Sequence, residues 1–244
     1  MTFSRIMEKM PRRRFLGLVA AGALLLVSCG IATRREDTSM PEKYPSHSVT
    51  ATIFWVGEGA DSSNANIDNI STEWDSHADK SFGGIDDPYK RSSKGLPKFK
   101  PKQNPYYIAL PASEFDHNGL IKGAREHAPW YNGETGQHAS IFKGKWVKIT
   151  RNNNTVFAQW LDTGPGDDPT QTRDYSYVFG DSSATPRNKF GLKAGIDLSP
   201  TAAHDLGFSM KQGKANVTWR FVEENDVPPG PWLDYPKINN KVYW

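Results

Sequence analysis

Four aspartates stand in settings where a carboxyl group can transfer protons. Asp162 ends an apolar stretch and leads into a Gly-Pro-Gly turn at 164–166. Partial burial beside this turn would raise the pKa of the carboxyl group toward the range of a general acid. Asp197 lies in the short apolar piece G-I-D-L, and Asp86 and Asp87 are adjacent in a Gly- and Pro-containing loop. A second carboxylate beside a protonated one supplies a base or nucleophile, so these four residues are candidate catalytic residues.

The same aspartates also have structural interpretations. Asp162 could cap its turn by accepting hydrogen bonds from the amides of Gly164 or Gly166. Asp197 could pair with amides at a helix that begins near Ser199. The two loop aspartates are of a type common in turns.

Alternating β-branched and aromatic residues predict the strands that must position these carboxyl groups. Such segments begin at Val49, recur at 106–110, and form a hairpin over 145–162 around the Asn-rich turn at 152–154. A last strand, A-N-V-T-W-R-F-V, occupies 215–222. The pattern predicts a β core.

One helix start is clear, and three long connections separate the strands. Ser199 suits the N-cap, Pro200 the first helical position and Gly207 the stop. The long connections are 57–104, 111–144 and 166–193. Each exceeds an ordinary loop, so we interpret them as functional insertions over a compact barrel.

The order of several short motifs resembles a known fold. They are D-T-G-P at 162–165, I-D-L-S at 196–199, A-A-H-D-L-G at 202–207 and G-K-A-N-V at 213–217. This set resembles the double-psi β-barrel of rare lipoprotein A, the expansins and their endoglucanase relatives. The resemblance implies a mainly β fold: a six-stranded double-psi β-barrel with one short helix and long decorating loops.

The domain boundaries follow from the same resemblance. The barrel domain with its insertions spans 49–225, and 226–244 forms a C-terminal extension packing on the barrel. Segments at 104–111, 158–165, 177–180 and 226–232 are similar to segments of bacterial proteins without an assigned reaction.

The resemblance also implies an activity. Rare lipoprotein A relatives act as lytic transglycosylases on peptidoglycan, using the D-x-G-P aspartate with a glutamate and a histidine from earlier segments. Asp162 matches the aspartate, whereas Tyr106 and Tyr107 stand near the histidine position and no A-S-G-E motif supplies the glutamate. Asp86, Asp87 or Glu58 could fill the glutamate's role, and Asp197 matches a functional aspartate of the expansins.

Two functions of different class therefore stay open. The first is a glycan-cleaving enzyme with Asp162 as acid/base and the other aspartates as helpers, because glycosidic cleavage needs a carboxylic acid on the leaving oxygen. The second is a non-catalytic, expansin-like module that binds peptidoglycan or another polysaccharide. A third interpretation, the D-T-G of an aspartic protease, is disfavoured because that chemistry needs two such aspartates and only one D-T-G occurs.

Aromatic residues near the predicted loops are candidates for sugar platforms, since flat rings stack on pyranose faces. The candidate substrate-binding residues are Tyr106, Tyr107, Trp130, Trp74 and Trp232. Interior packing is the alternative for each of them. His127 and His138 are isolated and no metal-binding spacing is present, so no metal or cofactor is expected.

The N-terminus predicts export and lipidation. A basic stretch precedes an apolar run over 15–27 that is too short to span a bilayer. L-V-S-C at 26–29 resembles a lipobox and R-R-R-F-L at 12–16 a twin-arginine signal, so 1–28 is interpreted as a signal peptide, Cys29 as the lipidation site and 29–48 as a tether. Gly30 favours an outer-membrane lipoprotein facing the periplasm.

Charge and cysteine content narrow the partners. Without the signal, 25 basic and 26 acidic residues remain, a net charge of about −1, which excludes the basic footprint typical of nucleic-acid binding. Cys29 is the only cysteine, so the exported domain has no internal disulfide. We expect a monomer bound to the membrane through its lipid and to a polysaccharide through its barrel.

Overall fold

The computed structural model describes residues 43–60, 68–133, 136, 138–166, 168–189 and 193–244. The strands are β1 (His47–Ile53), β2 (Tyr107–Leu110), β3 (Phe115–Asp116), β4 (Gly119–Leu120), β5 (Trp146–Arg151), β6 (Asn154–Thr163), β7 (Ala194–Leu198) and β8 (Lys214–Val222). The α-helices are α1 (Ala78–Phe82), α2 (Pro169–Thr172), α3 (Tyr175–Val178) and α4 (Pro200–Asp205). Short 3₁₀ turns occupy Arg125–His127, Glu224–Asp226 and Pro231–Leu233.

Six strands close into a barrel in the order β1-β7-β2-β6-β5-β8. The β1–β7 and β2–β6 pairs are parallel, and the remaining neighbours are antiparallel. The predicted mainly β, six-stranded double-psi barrel is therefore confirmed. Strands β3 and β4 form a separate hairpin within the second long connection.

The helices are few and short. The predicted helix after Ser199 is α4, where Ser199 Oγ accepts a hydrogen bond from the amide of Ala202 as an N-cap does. Three further helices of four or five residues lie in the long connections. They are too short to produce the apolar period by which a helix is predicted.

The barrel interior is filled by alternate residues of the strands. Ile108, Trp160, Ile196 and Trp219 belong to one buried cluster and are at most 1% exposed. Burying each such side chain contributes about 1.5–3 kcal/mol, so the interior fixes the register of the strands.

A bulge in β6 turns two successive side chains to the outside of the barrel. Ile108 pairs with Trp160 but Ala109 pairs with Asp162, which leaves Leu161 as the extra residue. Leu161 packs with Tyr107 and Ala109 in a second cluster outside the barrel interior. Because a bulge places two adjacent residues on one side, Asp162 also faces outward.

The predicted signal, Cys29 and most of the tether lie outside the described residues. Across the described part of the chain, no helix has the length and apolar character needed to cross a membrane.

Candidate functional site

A row of four paired residues crosses the outer face of the barrel. Thr52 on β1 pairs with Asp197 on β7, Asp197 with Ala109 on β2, and Ala109 with Asp162 on β6. Paired residues of neighbouring strands point to the same side, so both aspartates face outward over the small side chain of Ala109. Two strand spacings place their Cα atoms about 10 Å apart. The structure thus brings Asp162 and Asp197, both candidate catalytic residues from the sequence, onto one face of the barrel.

Asp162 is held by hydrogen bonds to one of its two carboxyl oxygens. Its Oδ1 accepts hydrogen bonds from the backbone amides of Glu73 and Thr163, both at 2.8 Å. Within the described residues, Oδ2 accepts none and is not fully buried. Burial raises the pKa of Asp162 to about 7, against the lowering effect of the two amides, and the nearby Asp197 raises it further. The anchoring amides are not the Gly164 or Gly166 amides expected for a turn cap.

Asp197 is anchored in the same way on the other side of Ala109. Its Oδ1 accepts a hydrogen bond from the hydroxyl group of Thr52. Burial raises the pKa of Asp197 to about 7, although that hydrogen bond lowers it, and Glu58 raises it further. The helix-capping alternative does not apply, because Ser199 provides the cap.

Gly164 lets the turn after β6 approach this carboxylate. A Cβ atom placed on Gly164 would lie 3.1 Å from Asp197 Oδ2, and the residue has a φ of +155°. A larger side chain would meet the oxygen and be strained in this conformation. The glycine of D-T-G-P is therefore required where the two aspartates come together.

Glu73 is a third acid beside Asp162 that sequence reasoning did not identify. Its Oε1 accepts hydrogen bonds from the amides of Glu114 and Phe115, and its Oε2 accepts one from the hydroxyl of Thr163. Burial raises the pKa of Glu73 to about 8 despite these bonds, and the charge of Asp162 adds to the rise. The only local signal is a glutamate between Thr72 and Trp74 in a long loop, which does not reveal its contact with β6.

A buried lysine balances these acids. Lys143 is 3% exposed, and its Nζ donates a hydrogen bond of 2.8 Å to the carbonyl of Lys241. Burial lowers the pKa of Lys143 to about 8, while the charges of Asp75 and Asp162 raise it. Its positive charge in turn lowers the pKa of Asp162, so the group helps to hold a negative charge there.

Asp86 and Asp87 are not part of this row. Asp86 is fully buried, accepts a 2.7 Å hydrogen bond from the Tyr107 hydroxyl and forms an ion pair with Arg91. Asp87 accepts the amide of Tyr89 at 2.8 Å, as a turn aspartate does. Their bonding argues against the predicted catalytic role, because it assigns one to an internal ion pair and the other to a turn.

Three of the predicted sugar platforms are interior side chains. Trp74 and Tyr107 are 0% exposed and Tyr106 is 2% exposed. Trp74 packs edge-on against Trp160, with ring centroids 5.9 Å apart. Their burial argues against substrate stacking, because none of these rings has a free face. The position of Trp74 in a long predicted loop did not indicate that its side chain is buried against the barrel.

Trp130 and Trp232 are partly exposed but pack away from the carboxylate row. Trp130 contacts Phe221 with ring centroids 4.8 Å apart, and its Nε1 donates to the carbonyl of Ile141. Trp232 contacts Phe157 at 5.1 Å. The structure does not join either ring to the aspartates.

Glu58, the other candidate for the missing glutamate, lies close to the row. It is 6% exposed and accepts a 2.8 Å hydrogen bond from the side-chain amide of Asn69. Its charge raises the pKa of Asp197. No group of three or more His, Cys, Asp or Glu side chains with metal-binding geometry occurs among the described residues.

The row has the chemical properties of an acid-base site. Asp162 and Asp197 each have a pKa of about 7, so near neutral pH both the protonated and the ionised form of each carboxyl group are present. Asp162 is fixed through Oδ1, and its Oδ2 accepts no hydrogen bond from the described residues, so this oxygen is the one that can carry a transferable proton. A carboxylic acid and a carboxylate are the usual pair of groups for breaking an acetal bond.

Solved structures with a similar fold are distant in sequence. The Streptomyces papain inhibitor shares 15% identity, with a TM-score of 0.31, over 73% of this chain and 94% of its own. An apo expansin of Clavibacter michiganensis shares 14% identity, with a TM-score of 0.30, over 76% of this chain. A mutant of that expansin, crystallised with cellohexaose, shares 14% identity, with a TM-score of 0.32, over 76% of this chain.

This chain spans about half of the expansin (53%). No family model and no curated protein sequence matches the chain. The similar structures thus include an expansin, and the expansins are one of the groups that the sequence motifs resemble. At this identity the likeness concerns the fold alone, and any function must be argued from the side chains of this chain.

Proposed function

We propose that the protein cleaves a cell-wall glycan and that Asp162 is its general acid. The observation that carries the proposal is the outer-face pair Asp162 and Asp197, each anchored through Oδ1 and each with a pKa raised to about 7 by burial. A carboxyl group that stays protonated near neutral pH is what protonation of a glycosidic oxygen requires.

The proposed step begins with transfer of a proton from Asp162 Oδ2 to the leaving glycosidic oxygen while the bond from that oxygen to the anomeric carbon breaks. In a lytic reaction the sugar's own 6-hydroxyl attacks the anomeric carbon, closes an anhydro ring and gives its proton to a carboxylate. In a hydrolytic reaction water takes the place of that hydroxyl. Asp197 is positioned to stabilise the positive charge that develops on the sugar or to accept the second proton.

A non-catalytic polysaccharide-binding module is the second candidate. It is favoured by the bonding of Asp162 Oδ1, which ties the segment around Glu73 to the end of β6 and so has a structural use without chemistry. It is also favoured by Glu73, whose two oxygens are occupied by two amides and a hydroxyl. In that case the carboxyl groups would hydrogen-bond sugar hydroxyls.

The two candidates are separated by the products. The full-length chain, purified in detergent, is incubated with peptidoglycan glycan strands, and the products are identified by mass spectrometry. The enzyme proposal expects anhydro or reducing ends that are lost in Asp162→Asn and retained in Asp181→Asn, a matched change at an exposed turn aspartate. Absence of new ends with the wild type, together with retained binding to the strands, would leave the binding module.

We further propose that Cys29 carries the lipid and that the barrel works in the periplasm at the outer membrane. The support is the lipobox-like L-V-S-C sequence followed by Gly30. The eighteen residues that precede β1, 29–46, span at most about 60 Å, which restricts the barrel to polymers near the membrane. Labelled palmitate should enter the wild-type chain and be absent from Cys29→Ala; equal labelling of both would refute the anchor.

A further inference from the structure

A cavity of about 490 Å³ opens beside Glu73, at the end of the carboxylate row nearest β6. Thr72 and Glu73 form one side, the β3–β4 hairpin with Phe115 and His117 forms another, and Trp244 closes a third. The volume lies within the range of about 300–1,000 Å³ that is usual for small-molecule sites. None of the residues predicted from the sequence as sugar platforms lines it.

Phe115 and Trp244 form an aromatic wall. Their ring centroids are 5.5 Å apart at an angle of 73°, and Phe115 is 5% exposed whereas Trp244 is 65% exposed. The chain before Trp244 is held in place, because the Tyr243 amide donates to the carbonyl of Trp74 at 2.8 Å. The wall therefore presents an indole ring at a fixed position and with a large exposed surface.

The opposite side supplies polar groups. Thr72 is 7% exposed, and its hydroxyl oxygen is buried without a hydrogen-bond partner in the described part of the chain. A buried hydroxyl that lacks a partner is destabilising, and a ligand hydroxyl in the cavity would supply that partner. Asp116 and the exposed His117 of the hairpin add further hydrogen-bonding groups.

The cavity is joined directly to the proposed acid. The Glu73 amide donates to Asp162 Oδ1 at 2.8 Å, and the Thr163 hydroxyl donates to Glu73 Oε2. The segment that lines the cavity is therefore in direct contact with Asp162. We propose that this cavity is a subsite for one uncharged pyranose unit, stacked on Trp244 and hydrogen-bonded to Thr72, next to the unit that is cleaved.

This inference rests on the proposed function for its ligand, but it concerns binding rather than cleavage. An apolar ring opposite hydroxyl and carboxyl groups matches a pyranose, which has a C–H face and a hydroxyl rim. Among the described lining residues there is no lysine or arginine for the phosphate of a nucleotide or a teichoic acid. A neutral glycan unit is therefore the occupant that the lining favours.

The test measures affinity separately from turnover. A tetramer of β-1,4-linked N-acetylglucosamine is titrated by calorimetry into the full-length wild type and into Trp244→Phe, Trp244→Ala and Thr72→Val. The control is Tyr89→Ala, which removes another highly exposed aromatic ring (81%) that does not line the cavity. Circular dichroism confirms that each variant is folded.

We expect Trp244→Ala to weaken binding about tenfold, as truncation of a central aromatic contact does, and Trp244→Phe to weaken it less. Thr72→Val should weaken binding severalfold, and Tyr89→Ala should leave it unchanged. Wild-type affinity in Trp244→Ala, or no binding of the tetramer to the wild type, would overturn the subsite.

Cleavage assays on the same proteins keep the two proposals apart. If the tetramer binds through Trp244 but no glycan is cut, the subsite stands and the catalytic proposal fails. If glycan strands are cut in an Asp162-dependent way while Trp244→Ala retains wild-type affinity and KM, the catalytic proposal stands and the subsite fails.

Discussion

Replacing Asp162 by asparagine removes a carboxyl group that is 6% exposed but keeps an acceptor oxygen for the amides of Glu73 and Thr163. Burial raises the pKa of this carboxyl group from 3.8 to about 7 in the folded protein. Between these two pH values the folded state keeps a proton that the unfolded state has released. The stability contributed by Asp162 is therefore fully present below pH 3.8 and is lost as the pH rises through about 7.

The asparagine variant has no such loss, so its stability relative to the wild type should increase with pH. One pKa unit corresponds to about 1.4 kcal/mol, and the whole rise corresponds to at most about 4 kcal/mol in the free energy of unfolding. The uncharged amide side chain of the variant also relieves Glu73, whose pKa the charge of Asp162 raises, and this acts in the same direction. Asp162→Asn should thus be inactive and, at pH 8, more stable than the wild type.

The assay is urea unfolding followed by tryptophan fluorescence at pH 4, 5.5, 7 and 8. Asp168→Asn is the control, because hydrogen bonds from Thr170 and Gln171 lower the pKa of Asp168 to about 2. The stability that Asp168 contributes is present above its ordinary pKa and is lost only as the pH falls toward 2. The difference in free energy of unfolding between Asp168→Asn and the wild type should therefore be constant from pH 5.5 to 8. A constant difference for Asp162→Asn over the same range would refute the raised pKa and with it the neutral-pH acid.

Three further changes test how the site is held. Gly164→Ala should lower the free energy of unfolding by about 1 kcal/mol or more and reduce glycan cleavage, because its Cβ would meet Asp197 Oδ2 at 3.1 Å. Gly213→Ala, at a glycine with open surroundings and a φ of +65°, should show the backbone strain without loss of cleavage; both variants are measured by urea unfolding and product formation. Arg125→Met should cost about 3–5 kcal/mol in urea unfolding, because it leaves the fully buried Glu114 carboxylate without its ion pair, and Glu114→Gln in the same chain should restore part of the loss. Ser199→Ala should cost about 1–2 kcal/mol in thermal unfolding, since it removes the cap on Ala202 and the 2.7 Å bond to the Pro105 carbonyl.

The barrel strands could be predicted because their pattern is local. The alternation of apolar residues in 145–162 and 215–222 is imposed by burial of one face, and the hairpin turn at Asn152, with a φ of 53°, suits asparagine. The Ser-Pro start of α4 is equally local. The two-residue strands β3 and β4 give no such pattern, so the sequence predicts only a loop where the hairpin lies beside the cavity.

The carboxylate row could be predicted only in part. The motifs around Asp162 and Asp197 identified both residues as candidates, and the bulge at Leu161 turns Asp162 to the face that it shares with Asp197. Glu73 contacts a strand that lies 89 residues further along the chain, and a contact of that range leaves no periodic trace. Burial of Trp74 likewise depends on where its loop crosses the barrel, which composition does not specify.

Asp86 and Asp162 show why a raised pKa alone does not identify the acid. Burial raises the pKa of Asp86 to about 6, while the neighbouring Arg91 lowers it. Its Oδ1 is bound by that guanidinium and its Oδ2 by the Tyr107 hydroxyl, so both oxygens are occupied. Asp162 Oδ2, by contrast, accepts no hydrogen bond from the described residues. Only an oxygen without such a bond can deliver a proton to a substrate.

The two aspartates should therefore differ in their effect on cleavage when each is replaced by asparagine. Asp86→Asn leaves the Arg91 side chain, which is 10% exposed, without its counter-charge, but the folded protein should cleave glycan at the wild-type rate at pH 8. Asp162→Asn should raise stability at that pH and abolish cleavage. Urea unfolding and product formation per folded molecule measure the two effects on one preparation. Loss of cleavage in folded Asp86→Asn would show instead that the Asp86–Tyr107 pair takes part in the chemistry.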